Sequence, residues 1–131
     1  MKIVGTGIIV DNGKILIAQR PKGKSLPDYW EFPGGKLEEG ETIQECLKRE
    51  LREELGTEAE IGEFIMESDY KYEHGEFALQ VFWVHLPKNA ELKMNVHQQL
   101  KWVTVDELPS YQMPPADIHI VEKLQKVKLP A

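Results

Sequence analysis

The sequence has almost no cysteine and no long apolar run. Its one cysteine, Cys46, cannot form an intrachain disulfide, and its helical apolar context favours a small buried side chain over a nucleophile. No apolar stretch approaches the roughly 20 residues that cross a membrane, and residues 1–10 lack the segments of a signal peptide. We therefore expect a soluble, cytoplasmic protein with no membrane partner.

Positive charge is also scarce. The chain has 16 lysine and arginine residues against 22 aspartate and glutamate residues, a net charge of −6. A surface of this sign repels polyanions, so we expect no direct nucleic-acid binding, and a phosphorylated substrate needs a bridging cation. The length of 131 residues, 41% of them apolar, predicts a single domain over 1–131, as a monomer or a homodimer.

The chain alternates between patterns typical of strands and of helices. The apolar runs at 8–10 and 15–17 flank Asn12-Gly13, a pair that favours the tight turn of a β-hairpin. Pro33-Gly34-Gly35 is expected to break regular structure. The other predicted elements are an extended piece at 29–32, a helix at 43–55, strands at 59–72, 76–86 and 100–105, and a helix at 116–127.

The first predicted helix has defined ends. Thr42 is an N-cap residue, and Glu45, three residues on, completes a capping box. Gly56 follows the last apolar residue and suits the left-handed backbone that ends many helices. The helix is therefore expected to run from Ile43 to Leu55.

Acidic side chains interrupt the apolar face of this helix. At 100° per residue, Glu50 and Glu54 point into the apolar arc. With Glu53 they form three like charges at i, i+3 and i+4, which destabilises a helix unless a proton or cation compensates. Mg²⁺ prefers carboxylate oxygens and also accepts phosphate oxygens. The alternative is that these acids lie at the edge of the arc and pair with nearby lysine or arginine side chains.

The surrounding residues reproduce a known signature. Eight of the nine specified positions of the Nudix box are met within 35–57, namely Gly35, Glu41, Arg49-Glu50-Leu51, Glu53-Glu54 and Gly56. The exception is Thr57, where the family usually has an aliphatic residue, so packing is affected and the acids are not. The chain resembles MutT-like Nudix proteins and the related CTP pyrophosphohydrolases over most of its length, at Gln19-Arg20, 30–35, Trp102 and 114–117.

The resemblance implies a fold, a reaction and a cofactor. The implied fold is α/β, an α/β/α sandwich with a mixed β-sheet and the box helix packed on it. The implied reaction hydrolyses a nucleoside triphosphate to the monophosphate and pyrophosphate with Mg²⁺, or alternatively Mn²⁺. Glu50, Glu53, Glu54 and the Gly34 carbonyl would be the metal ligands. Glu53 and Glu50 would be the catalytic residues, with Glu53 as the base.

Other box positions have structural roles open to them. Glu41 and Arg49 are expected to form a charge pair that ties the preceding loop to the helix, rather than to act in catalysis. Gly35 and Gly56 are likewise assigned to the framework of the box. One departure concerns the metal: Val96 stands where many MutT-like chains have a further metal-binding glutamate.

The neighbours of Val96 leave two alternatives for that missing ligand. His97, Gln98 or Gln99 would substitute for the glutamate, or one metal site would be weak. For His97 itself, an ordinary surface or loop histidine is the favoured interpretation. The metal count is therefore open at this point.

The substrate-binding residues are also inferred from the resemblance. Arg20 would hold a phosphate, Glu31 would line the site, and Phe32 would stack on the base. Asp117 stands where MutT uses an asparagine to recognise the oxidised purine. Ionised, it would accept from a cytosine amino group, and protonated, it would also donate to a purine carbonyl. The alternative role of Asp117 is the N-cap of the last helix.

Three function hypotheses follow. The leading one is an 8-oxo-dGTP diphosphatase that clears oxidised dGTP from the nucleotide pool. The second is a CTP or 5-methyl-dCTP pyrophosphohydrolase, and the third is a non-catalytic nucleotide-sensing regulator. Tyr70 and Tyr72 lie where dinucleoside polyphosphate hydrolases carry a tyrosine, but alternate aromatic residues of a strand are more often packing residues.

Overall fold

The chain forms seven strands, two α-helices and one 3₁₀-helix. The computed structural model describes residues 1–131. The strands are β1 (Lys2–Asp11), β2 (Lys14–Gln19), β3 (Trp30–Glu31), β4 (Gly34–Lys36), β5 (Glu60–Tyr72), β6 (Gly75–His85) and β7 (Gln99–Val103). The helices are α1 (Ile43–Leu55), the 3₁₀-helix Val105–Ser110 and α2 (Pro115–Leu124). Neither α-helix is long and apolar enough to span a membrane.

Both faces of the central strands are buried. Successive side chains of a strand point to opposite faces, so Ile8 and Ile9 of β1 enter different cores. Ile8 packs in the core that contains α2, and Ile9 packs in the core that contains Leu47 and Leu51 of α1. The two helices therefore cover opposite faces of the sheet, and the predicted α/β/α sandwich is confirmed.

Strand β1 lies at the centre of a mixed sheet. It pairs in parallel with β6 and antiparallel with β2 and β4. The strand order is β3-β2-β1-β6-β5, with β4 paired to β1 and β7 paired to β2. The predicted hairpin is confirmed, because Asn12 and Gly13 take the positive φ values of 50° and 74° that its tight turn requires.

Helix α1 begins and ends where its sequence predicts. The Thr42 hydroxyl accepts from the Glu45 amide, and the Glu45 carboxylate accepts from the Thr42 amide. Gly56 ends the helix with a φ of 67°, and its amide donates to the Arg52 carbonyl. Because both ends are fixed by capping, the helix is held at one register, with its acidic residues next to β4.

The prediction that Pro33-Gly34-Gly35 breaks regular structure was wrong. Residues 34–36 form β4, which pairs with residues 4–6 of β1. A side chain at Gly34 would overlap the Gly5 carbonyl, so only a glycine lets the two strands approach this closely. The glycine that looked like a break is therefore what permits the strand pairing.

The C-terminal third also differs from its prediction. The last helix ends at Leu124 rather than Val127 and begins at Pro115 rather than Ala116. The predicted strand at 100–105 stops at Val103, and a 3₁₀-helix starts at Val105. The Glu107 carboxylate accepts from the Thr104 amide and so closes this short turn in place of a longer strand.

Candidate active site

A cavity of about 500 Å³ opens between β4, α1, the 20–28 loop and the start of α2. This volume is in the range of small-molecule binding sites. The charged side chains that line the cavity are of both signs. The acids are Glu31, Glu54 and Asp117, and the cations are Lys2, Arg20, Lys24 and Lys36.

Glu54 lies in this cavity without a counter-charge. Glu54 is 7% exposed, and its Oε1 atom is buried with no hydrogen-bond partner. Burial is the main cause that raises its pKa to about 9, and the neighbouring carboxylates Glu50 and Glu31 add to the effect. A buried acid of this kind is stable only as the neutral form or beside a cation.

Glu50 lies beside Glu54 in a space that a glycine provides. A side chain at Gly35 would overlap the Glu50 carboxylate, which therefore occupies the volume above the β4 backbone. The Arg49 Nη1 atom donates to Glu50 Oε1 at 2.8 Å. The structure thus brings Glu50 and Glu54 together next to β4, as the apolar-arc pattern predicts.

The third predicted ligand, Glu53, does not join this pair. Its side chain is 58% exposed, and its one salt bridge is to Arg49, at 3.4 Å. No group of three or more histidine, cysteine, aspartate or glutamate side chains is arranged to hold a metal ion. The roles of Glu53 as a ligand and as the base therefore stay predictions.

Arg49 is the centre of a separate network that holds the loop before α1. Its Nη2 and Nε atoms donate to the two oxygens of Glu41 at 2.8 and 3.1 Å, and Nη2 also donates to the Lys36 carbonyl. The hydrogen bond from Arg49 is the main cause that lowers the pKa of Glu41 to about 2. The expected charge pair is therefore present in the structure.

The residues of the cavity fit a divalent cation. The unpartnered Glu54 oxygen and the adjacent Glu50 carboxylate form a pair of oxygen donors, and Gly34 lines the cavity beside them. Hard divalent cations prefer such donors. A cation here would also offset the burial of Glu54 and its repulsion by the neighbouring Glu50 carboxylate.

Arg20 and Glu31 form an ion pair at the cavity wall. Arg20 Nη1 is 2.8 Å from Glu31 Oε1, and the other Glu31 oxygen is 2.9 Å from His97 Nε2. Burial raises the pKa of Glu31, but hydrogen bonds and charges of His97 and Arg20 outweigh it, so the net pKa is lowered. His97 lies in a loop, as its interpretation as a surface or loop histidine allows, but the surface part of that interpretation was wrong, because its side chain is only 1% exposed.

Asp117 is a buried residue of the cavity lining, in the first turn of α2. The residue is 5% exposed, and the N-cap of α2 is Pro114, so the N-cap interpretation of Asp117 was wrong. Burial, together with the Glu31 charge, raises its pKa well above the ordinary value. Phe32 contributes to the same lining but is 4% exposed and packs mainly in the larger core.

Two aromatic residues at the end of β5 lie against each other and beside the start of α2. The Ala116 amide donates to the Tyr72 hydroxyl at 3.3 Å, and the Tyr70 and Tyr72 rings lie 4.7 Å apart. Tyr72 thereby fixes the first turn of α2, which carries Asp117. Because Tyr72 also lines the cavity, the packing interpretation of the two tyrosines stays a prediction.

Sequence reasoning missed the cationic rim. Lys2, Lys24 and Lys36 come from β1, the 20–28 loop and β4, and they join Arg20 around the cavity. No spacing in the sequence signals this, because the three lysines converge only through the fold. The rim is therefore locally positive, although the net charge of the chain is negative.

This site and fold match known proteins. The family model for the NUDIX domain matches residues 1–124. The CTP pyrophosphohydrolase of Escherichia coli is 37% identical over 95% of this chain and 92% of its own length. The 8-oxo-dGTP diphosphatase of Buchnera aphidicola is 36% identical over 92% of this chain and 91% of its own length. The solution structure of the E. coli ORF135 protein superposes with a TM-score of 0.83, at 38% identity, and covers 95% of this chain and 89% of that one.

The chain belongs to the Nudix hydrolase family. Members of this family generally need a divalent metal, in agreement with the oxygen donor set of Glu50 and Glu54. The relatives are named as diphosphatases and pyrophosphohydrolases, so the chain is an enzyme of this hydrolase class.

Proposed function

We propose that the protein hydrolyses nucleoside triphosphates, with water, to nucleoside monophosphate and pyrophosphate, and that Mg²⁺ is its metal. The observation that carries this proposal is the buried, unpartnered Glu54 carboxyl in a cavity with a cationic rim. The metal supplies charge for that acid, and the rim supplies charge for the phosphates. Free nucleotides are the proposed substrates, because the net charge of −6 opposes nucleic-acid binding.

Glu50, Glu54 and the Gly34 carbonyl would hold the metal, with Glu53 as a further ligand once its exposed side chain turns inward. When bound, the metal neutralises phosphate oxygens and lowers the pKa of a water molecule. Arg20 has five N–H groups, of which Ser25 and Glu31 accept three. The other two are available to a substrate phosphate.

Asp117 supports a base whose edge carries one donor beside one acceptor. Burial raises the pKa of Asp117 and so favours the protonated carboxyl, which has one donor and one acceptor, like the asparagine amide. Ordinary guanine presents two acceptors, N7 and O6, in the major groove. Oxidation at C8 places a hydrogen on N7, so the oxidised edge complements Asp117 and the ordinary edge does not. We therefore propose 8-oxo-dGTP as the preferred substrate.

Cytosine is the second candidate. Its N4 amino group donates and its N3 atom accepts, so a protonated Asp117 complements this edge as well. The resemblance to a relative named CTP pyrophosphohydrolase, over 95% of the chain, favours this candidate specifically. CTP and 5-methyl-dCTP are the corresponding substrates.

The deciding experiment compares kcat/KM for 8-oxo-dGTP, dGTP, CTP and 5-methyl-dCTP with Mg²⁺. We expect 8-oxo-dGTP to be preferred, and Asp117→Asn to keep that preference because the amide has the same donor and acceptor. Asp117→Ala, the matched control, should lose it. A preference for cytosine nucleotides rejects the leading substrate. If a broad nucleotide panel yields no pyrophosphate, the enzyme proposal fails and a nucleotide-sensing regulator takes its place.

A further inference from the structure

A short segment, Lys93–Gln98, connects the end of α1 to the substrate side of the cavity; we call it the strap. The last carbonyls of a helix have no partner inside the helix. Here the Lys93 amide donates to the Leu55 carbonyl at 2.8 Å, and the Asn95 amide donates to the Glu54 carbonyl at 3.2 Å. The Asn95 side chain donates to the Glu53 carbonyl at 2.9 Å. One end of the strap is thus fixed on the helix that carries the acidic residues.

The other end of the strap is fixed on the loop that carries Arg20. The Gln98 amide donates to the Gln19 carbonyl at 3.1 Å, and its side chain donates to the Arg20 carbonyl at 2.8 Å. The same side-chain nitrogen also donates to the Asp28 carboxylate. These contacts hold the backbone on both sides of the 20–28 loop at a set distance from α1.

His97 stands between these two anchors and reaches Arg20 through one carboxylate. Its Nε2 atom is 2.9 Å from Glu31 Oε2, and Glu31 Oε1 accepts from Arg20 Nη1 at 2.8 Å. The other ring nitrogen of His97 is buried without a partner. The bond to Glu31 is therefore the single polar contact of a side chain that is otherwise enclosed.

We propose that His97 is a positioning residue for Arg20, acting through Glu31. Glu31 uses one oxygen for each partner, so the imidazole fixes the carboxylate and the carboxylate fixes the guanidinium plane. The two remaining N–H groups of Arg20 are thereby directed into the cavity before a substrate arrives. The inference rests on the proposed role of Arg20 in holding a substrate phosphate.

The test is a double-mutant cycle between His97 and Arg20. His97→Phe keeps a buried ring but removes the bond to Glu31, whereas His97→Gln keeps a nitrogen donor near the Nε2 position. With Mg²⁺ and the preferred nucleotide, we expect His97→Phe to raise KM about tenfold with little change in kcat, the size of one charge-assisted hydrogen bond. His97→Gln should restore most of the wild-type KM. In an Arg20→Ala background, His97→Phe should have no further effect.

A merely structural role of His97 predicts a different result. Its effect on KM would then be the same with or without Arg20, and this additivity would overturn the proposal, as would an unchanged KM. His85→Phe, at the end of β6 and outside the cavity, is the matched control and should leave KM unchanged. If His97→Phe does not fold, Glu31→Gln replaces it in the same cycle, with the same expectations.

A binding measurement separates this inference from the proposed function. The dissociation constant of 8-oxo-dGTP is measured calorimetrically for the same variants with Ca²⁺ in place of Mg²⁺, so that a divalent cation is present while binding is measured separately from turnover. The expected result is about a tenfold weakening by His97→Phe that is lost in Arg20→Ala. If wild type hydrolyses no nucleotide but shows this coupling, the proposed function fails and the inference holds. Active wild type with additive variants gives the reverse conclusion.

Discussion

Two groups of acidic residues on and near α1 have opposite environments. Around Arg49, the Glu41 and Glu50 carboxylates each accept a hydrogen bond at 2.8 Å from a guanidinium that is held by the backbone of β4. Glu54 lies four residues after Glu50 on the helix, and its carboxyl group is buried with one oxygen unpartnered. The same helix therefore has one set of charges that is satisfied internally and another that is not.

The pKa directions express this difference. Arg49 lowers the pKa of Glu41 to about 2, whereas burial raises the pKa of Glu54 to about 9 and that of Asp117 well above its ordinary range. Breaking a charge pair by removing one partner is destabilising, whereas a carboxyl buried without a counter-charge is a candidate functional group. The comparison assigns a structural role to the Arg49–Glu41 pair and a chemical role to Glu54, with Glu50 between them as its proposed partner in metal binding.

The largest expected effect is that of Glu54→Gln on turnover. The amide keeps the shape but removes the charge that would hold the metal, so kcat should fall by about 10³-fold or more. The fold should be intact by circular dichroism. Glu53→Gln is the companion variant: if Glu53 is the base, its kcat falls by orders of magnitude as well. A Glu54→Gln enzyme with wild-type kcat would show that Glu54 has no role in the chemistry.

The Arg49 network should show the opposite response, with a large effect on stability. Arg49→Met leaves Glu41 and Glu50 without their donor, and we expect the melting temperature to fall by roughly 5 °C. Arg52→Met is the matched control, because Arg52 pairs with Glu58 while both side chains are more than half exposed. Exposed pairs contribute little, so its melting temperature should change by about 1 °C at most. Equal effects in the two variants would contradict a framework role for Arg49.

The next prediction is that the raised pKa of Glu54 makes the stability of the fold depend on pH. The pKa of Glu54 is 4.5 in the unfolded chain and about 9 in the fold, so the folded state binds the extra proton between these values. Its contribution to stability is fully present below pH 4.5 and is lost as the pH rises towards 9. Melting temperatures are measured in EDTA from pH 5 to 9. Wild type should lose stability relative to Glu54→Gln across this range, and a constant difference would refute the raised pKa.

The smallest expected effect concerns Val96, at the cavity rim. Its side chain is 39% exposed and lines the cavity, so a carboxylate there has room and reaches the same volume as Glu54. Val96→Glu should lower the Mg²⁺ concentration for half-maximal activity by about threefold. Val96→Gln has the same length without the charge and should leave it unchanged. Equal values for the two variants would place position 96 outside the metal site.

Local interactions made α1 predictable. Its capping box, its glycine stop and its acidic residues all involve partners within four residues, so the pattern alone located both ends and the buried acids. The Glu41–Arg49 pair spans only eight residues and was also expected. The hairpin at Asn12-Gly13 belongs to the same class, because turn geometry depends on two adjacent residues.

Long-range partners account for what could not be predicted. His97 and Glu31 are 66 positions apart, and nothing near either residue indicates their contact. The pairing of β4 brings Gly34 against a backbone carbonyl of the distant strand β1, and the cationic rim combines lysines from three elements. The burial of Asp117 could not be predicted, because it follows from the packing of α2, which the local sequence pattern does not contain. That pattern suggested a helix N-cap instead.

The most direct test of the contrast between the two regions is metal binding itself. Mn²⁺ is titrated into wild type and Glu54→Gln, and the free ion is followed by electron paramagnetic resonance, with Arg49→Met as the framework control. We expect wild type and any folded Arg49→Met to bind Mn²⁺ and Glu54→Gln to lose at least about tenfold in affinity. Equal affinity of Glu54→Gln and wild type would show that the buried acid is not the metal site.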